Sequence, residues 1–286
     1  MPIAEFAGNA APKIEGVNVL DRIGLLAGVG KLPVEFARAA SQSGYEVYAV
    51  ALLEQTDPAV ADFAKDFQRI SVAHLEAILN YIKENDIHQV TMIGKVTKEL
   101  LFNGKIMPDV KMLELLLSLP DRNDDTIMMA FVRELEKIDC KTFDQTALIK
   151  QLMPPRGDFT RRIPTDAERS DMDFGFQVAK ALGGLDIGQT VVVKNRAIMA
   201  VEAIEGTDEC ILRGGRLANG GAIVVKVSKP QQDKRFDVPT VGVRTLEKMI
   251  EVGAVALAIE AGQTLVVERE KMIALADEHN IAITAI

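Results

Sequence analysis

Short apolar runs alternate with amphipathic helical patterns along this chain, and that alternation restricts its fold more than any other feature. Arg22 to Ala27 (RIGLLA) reads as a strand, Gly28-Val29-Gly30 breaks it, and Leu32, Phe36 and Ala40 then share one face of a helix. Glu46 to Leu52 and Val90 to Ile93 are further strands, and between them Ser71 to Asn85 carries Leu75, Ile78, Leu79 and Ile82 at helical spacing. Strands separated by helix-length segments pair in parallel rather than as hairpins. Asn123 with Asp124 and Asp125 suits the start of a helix holding Ile127, Met128, Phe131 and Leu135, because a helix dipole favours acids in its first turn. The pattern breaks at Met153-Pro154-Pro155-Arg156-Gly157. The expected fold is therefore α/β, with a Rossmann-like amino-terminal domain over residues 1–154, a second α/β domain over residues 160–286, and an apolar-lined ligand cleft between them.

The second half repeats the alternation. Thr165 and Glu168 have capping-box spacing and open a helix with Met172, Phe176, Val178 and Leu182 that stops at Gly183-Gly184. Thr190 to Val193 and Ile198 to Ile204 read as strands, and Glu205 to Asp208 connects the second to a short helix for which Thr207 or Asp208 is the expected cap. Ala222 to Val227 is a buried strand, followed by apolar runs at Ala254 to Ile259 and Thr264 to Val267 and a last helix from Arg269 to His279.

Charge narrows the ligand. The chain of 286 residues is 48% hydrophobic and 26% charged with a formal net charge of -8, which supports a sizeable core and argues against a general nucleic-acid binder. Yet between Arg213 and Arg244 seven cations (Arg213, Arg216, Lys226, Lys229, Lys234, Arg235, Arg244) face two anions, Asp233 and Asp237, a basic island that suits a small anionic ligand. Around it Glu205, Asp208, Asp233 and Asp237 lie beside Gly206, Gly214, Gly215, Gly220, Gly221, Pro230 and Pro239, which mark turns. Carboxylates among cations suit phosphate chemistry with a metal or an activated water. Cys140 and Cys210 stand far apart, so neither a disulfide framework nor a zinc knuckle is expected, and His74, His88 and His279 share no ligand spacing. No G-x-S-x-G elbow and no P-loop motif occurs, which leaves direct attack by water, with Mg2+ as the metal that hard oxygen donors would hold. No export signal or membrane-length apolar run is seen, so a cytoplasmic protein is expected, with contact at the inner face of the membrane left open. Two other classes stay open. One is a dinucleotide-dependent oxidoreductase built on Gly28 and Gly30 with Glu54 after the next strand, although Lys31-Leu32-Pro33 follows where a third glycine is wanted; the other is a nucleotide-sugar or lipid-binding module that never cleaves its ligand.

Five blocks carry a resemblance. They are G-L-L-A-G-x-G-x-L-P (Gly24 to Pro33), T-R-R-x-P-T-x-x-E (Thr160 to Glu168), L-D-I-G-Q (Leu185 to Gln189), A-V-E-A-I-E-G-T-D (Ala200 to Asp208) and K-P-x-Q-D-x-R-F-D-x-P-T-x-G (Lys229 to Gly242). Together they resemble the LpxI-type UDP-2,3-diacylglucosamine pyrophosphatases over nearly the whole chain. The resemblance implies hydrolysis of UDP-2,3-diacylglucosamine to lipid X and UMP, with a UDP-linked diacylated glucosamine as ligand, and it leaves open a homodimer and peripheral membrane contact. It marks Asp237 and Asp233 as candidate catalytic residues, with Asp237 preferred because the family pattern keeps the acid after Arg-Phe more firmly. Gly28, Gly30, Glu205, Gly206, Thr207, Asp208, Lys229, Gln232 and Arg235 are the candidate substrate contacts, and Asp208, Asp233 and Asp237 the candidate metal ligands. Asn123 replaces the glycine of the family's G-D-D block, leaving the role of Asp124 and Asp125 open.

Overall fold

The computed structural model describes residues 21–96, 107–121, 124–231, 235 and 238–286. Contacts divide the chain into two units, one running to Ile149 and including Arg235, the other taking up the chain from Lys150.

The first unit is built on a parallel sheet in the order β3-β2-β1-β4-β5, the strand order of a doubly wound α/β sheet. Its strands are β1 (Arg22–Ala27), β2 (Glu46–Ala51), β3 (Asp66–Arg69), β4 (Gln89–Ile93) and β5 (Lys141–Thr142). Among the described residues four α-helices accompany them: α1 (Leu32–Gln42), α2 (Leu75–Glu84), α3 (Val110–Ser118) and α4 (Asp124–Glu136). Ile23, Leu25 and Ala27 are fully buried, as the central strand of a sheet covered on both faces requires, and this explains why β1 reads as a continuous apolar run. Phe36 and Ala40 of α1 and Leu75, Ile78, Leu79 and Ile82 of α2 all turn inward. Helix α2 begins later than its pattern suggested: Ser71 to His74 form a turn in which the His74 N–H donates to Ser71 O at 2.8 Å.

The second unit carries a six-stranded mixed sheet in the order β6-β13-β11-β9-β7-β8. Its strands are β6 (Gly157–Asp158), β7 (Thr190–Lys194), β8 (Ala197–Val201), β9 (Ile223–Lys226), β11 (Ala256–Ile259) and β13 (Ala282–Ala285). Strands β9, β11 and β13 run parallel, whereas β6 pairs with β13, β7 with β9, and β8 with β7 in antiparallel fashion. β10 (Thr240–Val241) and β12 (Leu265–Val266) form a separate parallel pair. Helix α5 (Asp166–Gly184) starts with the full capping box, Thr165 N–H to Glu168 Oε2 at 2.8 Å and Glu168 N–H to Thr165 Oγ1 at 3.3 Å. Three helices follow, α6 (Thr207–Ala218), α7 (Val243–Glu251) and α8 (Arg269–Glu278). The β7–β8 hairpin turns on Asn195 and Arg196, both with positive φ (52° and 56°), as a type I′ turn demands. The Asp171 carboxylate fixes that turn by accepting both of its amides at 2.8 and 2.6 Å.

Two readings of the sequence need correction here. Gly214 and Gly215 lie inside α6 rather than in turns, because two neighbours pass too close for a side chain. A Cβ on Gly214 would sit 2.5 Å from Val192 Cβ, and one on Gly215 would sit 2.1 Å from Val252 Cγ2. Strand β8 ends at Val201, so Ile204 is left 84% exposed in the turn that follows rather than in a strand.

Candidate active site

One end of the second unit's sheet collects most of the described candidate residues. Strand β9 reaches it at Lys226, opposite Thr190 at the start of β7, and open α/β sheets bind ligands at the carboxyl ends of their parallel strands. Lys226 is only 7% exposed. Its ammonium donates to Thr207 Oγ1 and to Thr240 O, each at 3.1 Å, and the Thr207 hydroxyl in turn donates to Glu202 Oε1 at 2.8 Å. A buried cation is thus joined through one hydroxyl to a buried carboxylate, the condition on which such charges are tolerated. Because Lys226 lies at the end of β9 and Thr240 begins β10, this ammonium also ties together the two roots of the intervening loop. The sequence reading counted Lys226 only as part of a basic island. Its place at the end of the apolar run Ala222 to Val227 was the one available sign that it is buried.

Three of the blocks quoted above meet here. From Leu185 to Gln189, Asp186 pairs with Lys229 Nζ at 2.6 Å, and the Gln189 N–H donates to Glu202 Oε2 at 3.4 Å. A Cβ at Gly188 would lie 2.1 Å from Glu202 O, so a glycine is what lets this segment lie against the next block. Gln189 Oε1 and Thr190 Oγ1, at the head of β7, are buried without a hydrogen-bond partner among the described residues. Gln189 Oε1 and Thr190 Oγ1 are the kind of polar atoms that ordered water or a ligand satisfies.

The Glu205 to Asp208 turn is arranged differently from the expectation. Neither Thr207 nor Asp208 caps α6; the cap position is Gly206, at φ 81°, which offers no side chain. Glu205 is hydrogen-bonded by the Arg213 guanidinium, which holds its carboxyl below the ordinary carboxylate range, with backbone amides of the turn assisting. Asp208 pairs with Arg244 at 2.7 Å. The described cations of the island are therefore spread over separate partners: Arg213 on Glu205, Arg244 on Asp208, Lys229 on Asp186. Arg235 groups with the first unit, where its guanidinium lies 3.7 Å from Met129 Sδ.

Asp237, Asp233 and Gln232 lie outside the described residues, as does Asn123; Asp124 and Asp125 belong to α4, but their side chains are not described. Among the described residues no three His, Cys, Asp or Glu side chains come together as a metal nest. Asp208, the one described metal candidate, is committed to Arg244, so the described donors alone do not fit Mg2+. Both cysteines are buried, and burial pushes their thiols up to about 12, which leaves too little thiolate for a nucleophile at neutral pH.

In the first unit, Gly28 and Gly30 have separate uses. Gly28 N–H donates to Ile93 O at 2.8 Å, and a Cβ there would lie 2.7 Å from the Gly94 carbonyl carbon, so this glycine serves the close crossing of the β1 and β4 ends. Gly30, at φ 117° just ahead of α1, would have no described atom within 4 Å of an added Cβ. Its neighbour Lys31 pairs with Asp57 at 2.7 Å, and that contact lowers the Asp57 carboxyl, helped by the Ala59 amide. No described helix is long and apolar enough to cross a membrane.

Comparison with known proteins agrees across both units. The LpxI N-terminal domain matches residues 22–152 and the LpxI C-terminal domain residues 155–284. The chain is 30% identical over 268 residues to the UDP-2,3-diacylglucosamine pyrophosphatase LpxI of Caulobacter vibrioides, covering 90% of this chain and 94% of that protein. Among solved structures, the biotin carboxylase subunit of pyruvate carboxylase aligns with a TM-score of 0.26 at 14% identity, over 59% of this chain and 34% of that one. The N5-carboxyaminoimidazole ribonucleotide synthetase from Thermotoga maritima gives 0.23 at 16%, over 65% and 42%. Scores this low carry no argument about fold or activity. The two domain matches and the near full-length relative do: the chain belongs to the LpxI family.

Proposed function

We propose that this protein hydrolyses the pyrophosphate of UDP-2,3-diacylglucosamine to 2,3-diacylglucosamine 1-phosphate (lipid X) and UMP, a step of lipid A synthesis. The observation that carries the reading is the match to a relative named for that activity over 94% of the relative's length. In this reading water attacks one phosphorus of the diphosphate, the bridging P–O bond breaks, and each product leaves with one phosphate. Charge accumulates on the phosphoryl oxygens as the bond breaks, and fixed cations lower the barrier most when they are already in place. Lys229 is assigned that work, and Asp237 orients the attacking water, with Asp233 as the second candidate. The Lys226–Thr207–Glu202 chain supports the reading by holding the roots of the loop that bears these residues. Glu205 and Asp208, occupied by Arg213 and Arg244, shape the turn next to it.

Asp233 and Asp237 are the carboxylates that would hold Mg2+, which would neutralise charge on the diphosphate. A substrate with two acyl chains also favours work at the cytoplasmic face of a membrane, which co-sedimentation with phospholipid vesicles checks. Purified protein given UDP-2,3-diacylglucosamine, with and without Mg2+, should release UMP. Binding of the substrate without UMP release under either condition would point to a binding module instead.

A further inference from the structure

The carboxyl-terminal end of α5 grips the two residues that precede Pro230. Lys180 Nζ donates to Ser228 O at 2.8 Å and sits 3.0 and 3.1 Å from the two Glu260 carboxylate oxygens. The same Glu260 accepts the Ser228 N–H at 2.8 Å, so one ion pair holds this residue by its amide on one side and its carbonyl on the other. Three residues further along α5, on the same helix face, Gly183 packs so closely that a Cβ would stand 3.2 Å from Lys229 Cα and 3.3 Å from Pro230 Cδ. Just past the helix, Asp186 meets the Lys229 ammonium at 2.6 Å.

We infer that Lys180, Gly183 and Glu260 are positioning residues for Lys229: they fix the peptide that carries it, so that its ammonium is presented in one place to a diphosphate. The inference rests on the pyrophosphatase reading for what Lys229 touches. An ion pair kept for stability alone has no need to spend both members on the backbone of one residue. Here Lys180 orients the peptide plane just before the Lys229 Cα, Glu260 orients the plane before that, and Gly183 leaves the Cα no room to slide toward α5. A long flexible lysine binds an anion well only when its stem is held, because the freedom lost on binding is then already restricted.

The test uses the full chain with Gly183→Ala and Lys180→Met, each alone and combined with Lys229→Ala. Gly183→Ala is the sharper probe, since alanine is the better helix former and any loss it causes comes from the displaced Lys229 segment. Each single substitution should raise KM about tenfold with kcat changed less than about twofold, the signature of lost uniform binding. In the Lys229→Ala background neither should raise KM further, as expected when two groups act through one contact. Unchanged KM, an equal rise in both backgrounds, or a harmless Lys229→Ala overturns the inference. Amide exchange at Ser228 and Lys229 is read in parallel and needs no turnover. It should quicken in both single variants, and an unchanged rate overturns the positioning role. A wild-type protein that releases no UMP sinks the pyrophosphatase reading instead, while amide exchange still decides whether the segment is held.

Discussion

Asp237 and Lys229 are assigned opposite kinds of work, and their substitutions should fail in different ways. A carboxylate that orients water acts in the transition state, so Asp237→Ala should bind UDP-2,3-diacylglucosamine normally while turnover falls about 100-fold or more. An equilibrium binding measurement beside a single-turnover assay separates the two effects. Near-normal turnover in a folded variant would move the water-orienting role to Asp233. The sequence motivates this residue-level assignment because acids and cations are interspersed between Lys229 and Asp237. What could not be read was which charges also have a partner within the protein. Glu205 and Asp208 are taken up by arginines, and Lys229 is steadied by Asp186. Those partners lie 8, 36 and 43 residues away (Arg213, Arg244, Asp186), and spacing along a chain carries no information about such pairings. Lys226 was illegible for a related reason: a lysine closing an apolar strand looks like any loop cation until Thr207 and Thr240 are seen around it.

At the scale of elements, legibility followed burial. β1, β2 and β4 announce themselves because both of their faces are covered, and α2 because Leu75, Ile78, Leu79 and Ile82 make one buried stripe. β3, whose residues Asp66 to Arg69 read D-F-Q-R, gave no such signal: it is an edge strand with little buried surface. The two-residue strands β5, β6 and β10 are too short to show any period. The Gly214-Gly215 pair was misread as a turn, since a glycine pair reports only that something needs room. Here the room belongs to Val192 and Val252, which press α6 against β7 and the end of α7. Gly215→Ala should therefore destabilise the fold by about 1–3 kcal/mol, the usual cost of overpacking, although alanine alone would favour the helix. Thermal or denaturant unfolding checks this, and a gain in stability would show that the helix can shift away from Val252.

Taken whole, the chain joins two α/β units, and the family match runs through both, from residue 22 to residue 284. The acidic balance of the molecule, -8 overall, makes the basic island between Arg213 and Arg244 the more selective for a compact anion over a polyanion. The alternation of strands and helices predicted this organisation because each sheet buries its central strands under helices, a global requirement written locally into every apolar run. Cleavage between the two phosphates is visible in phosphorus NMR of UDP-2,3-diacylglucosamine incubated with the purified protein. The diphosphate signals should give way to two phosphomonoester signals of equal intensity, one from UMP and one from the sugar phosphate. Diphosphate signals that persist after prolonged incubation with folded protein, with Mg2+ supplied, would show that the protein does not cleave this substrate.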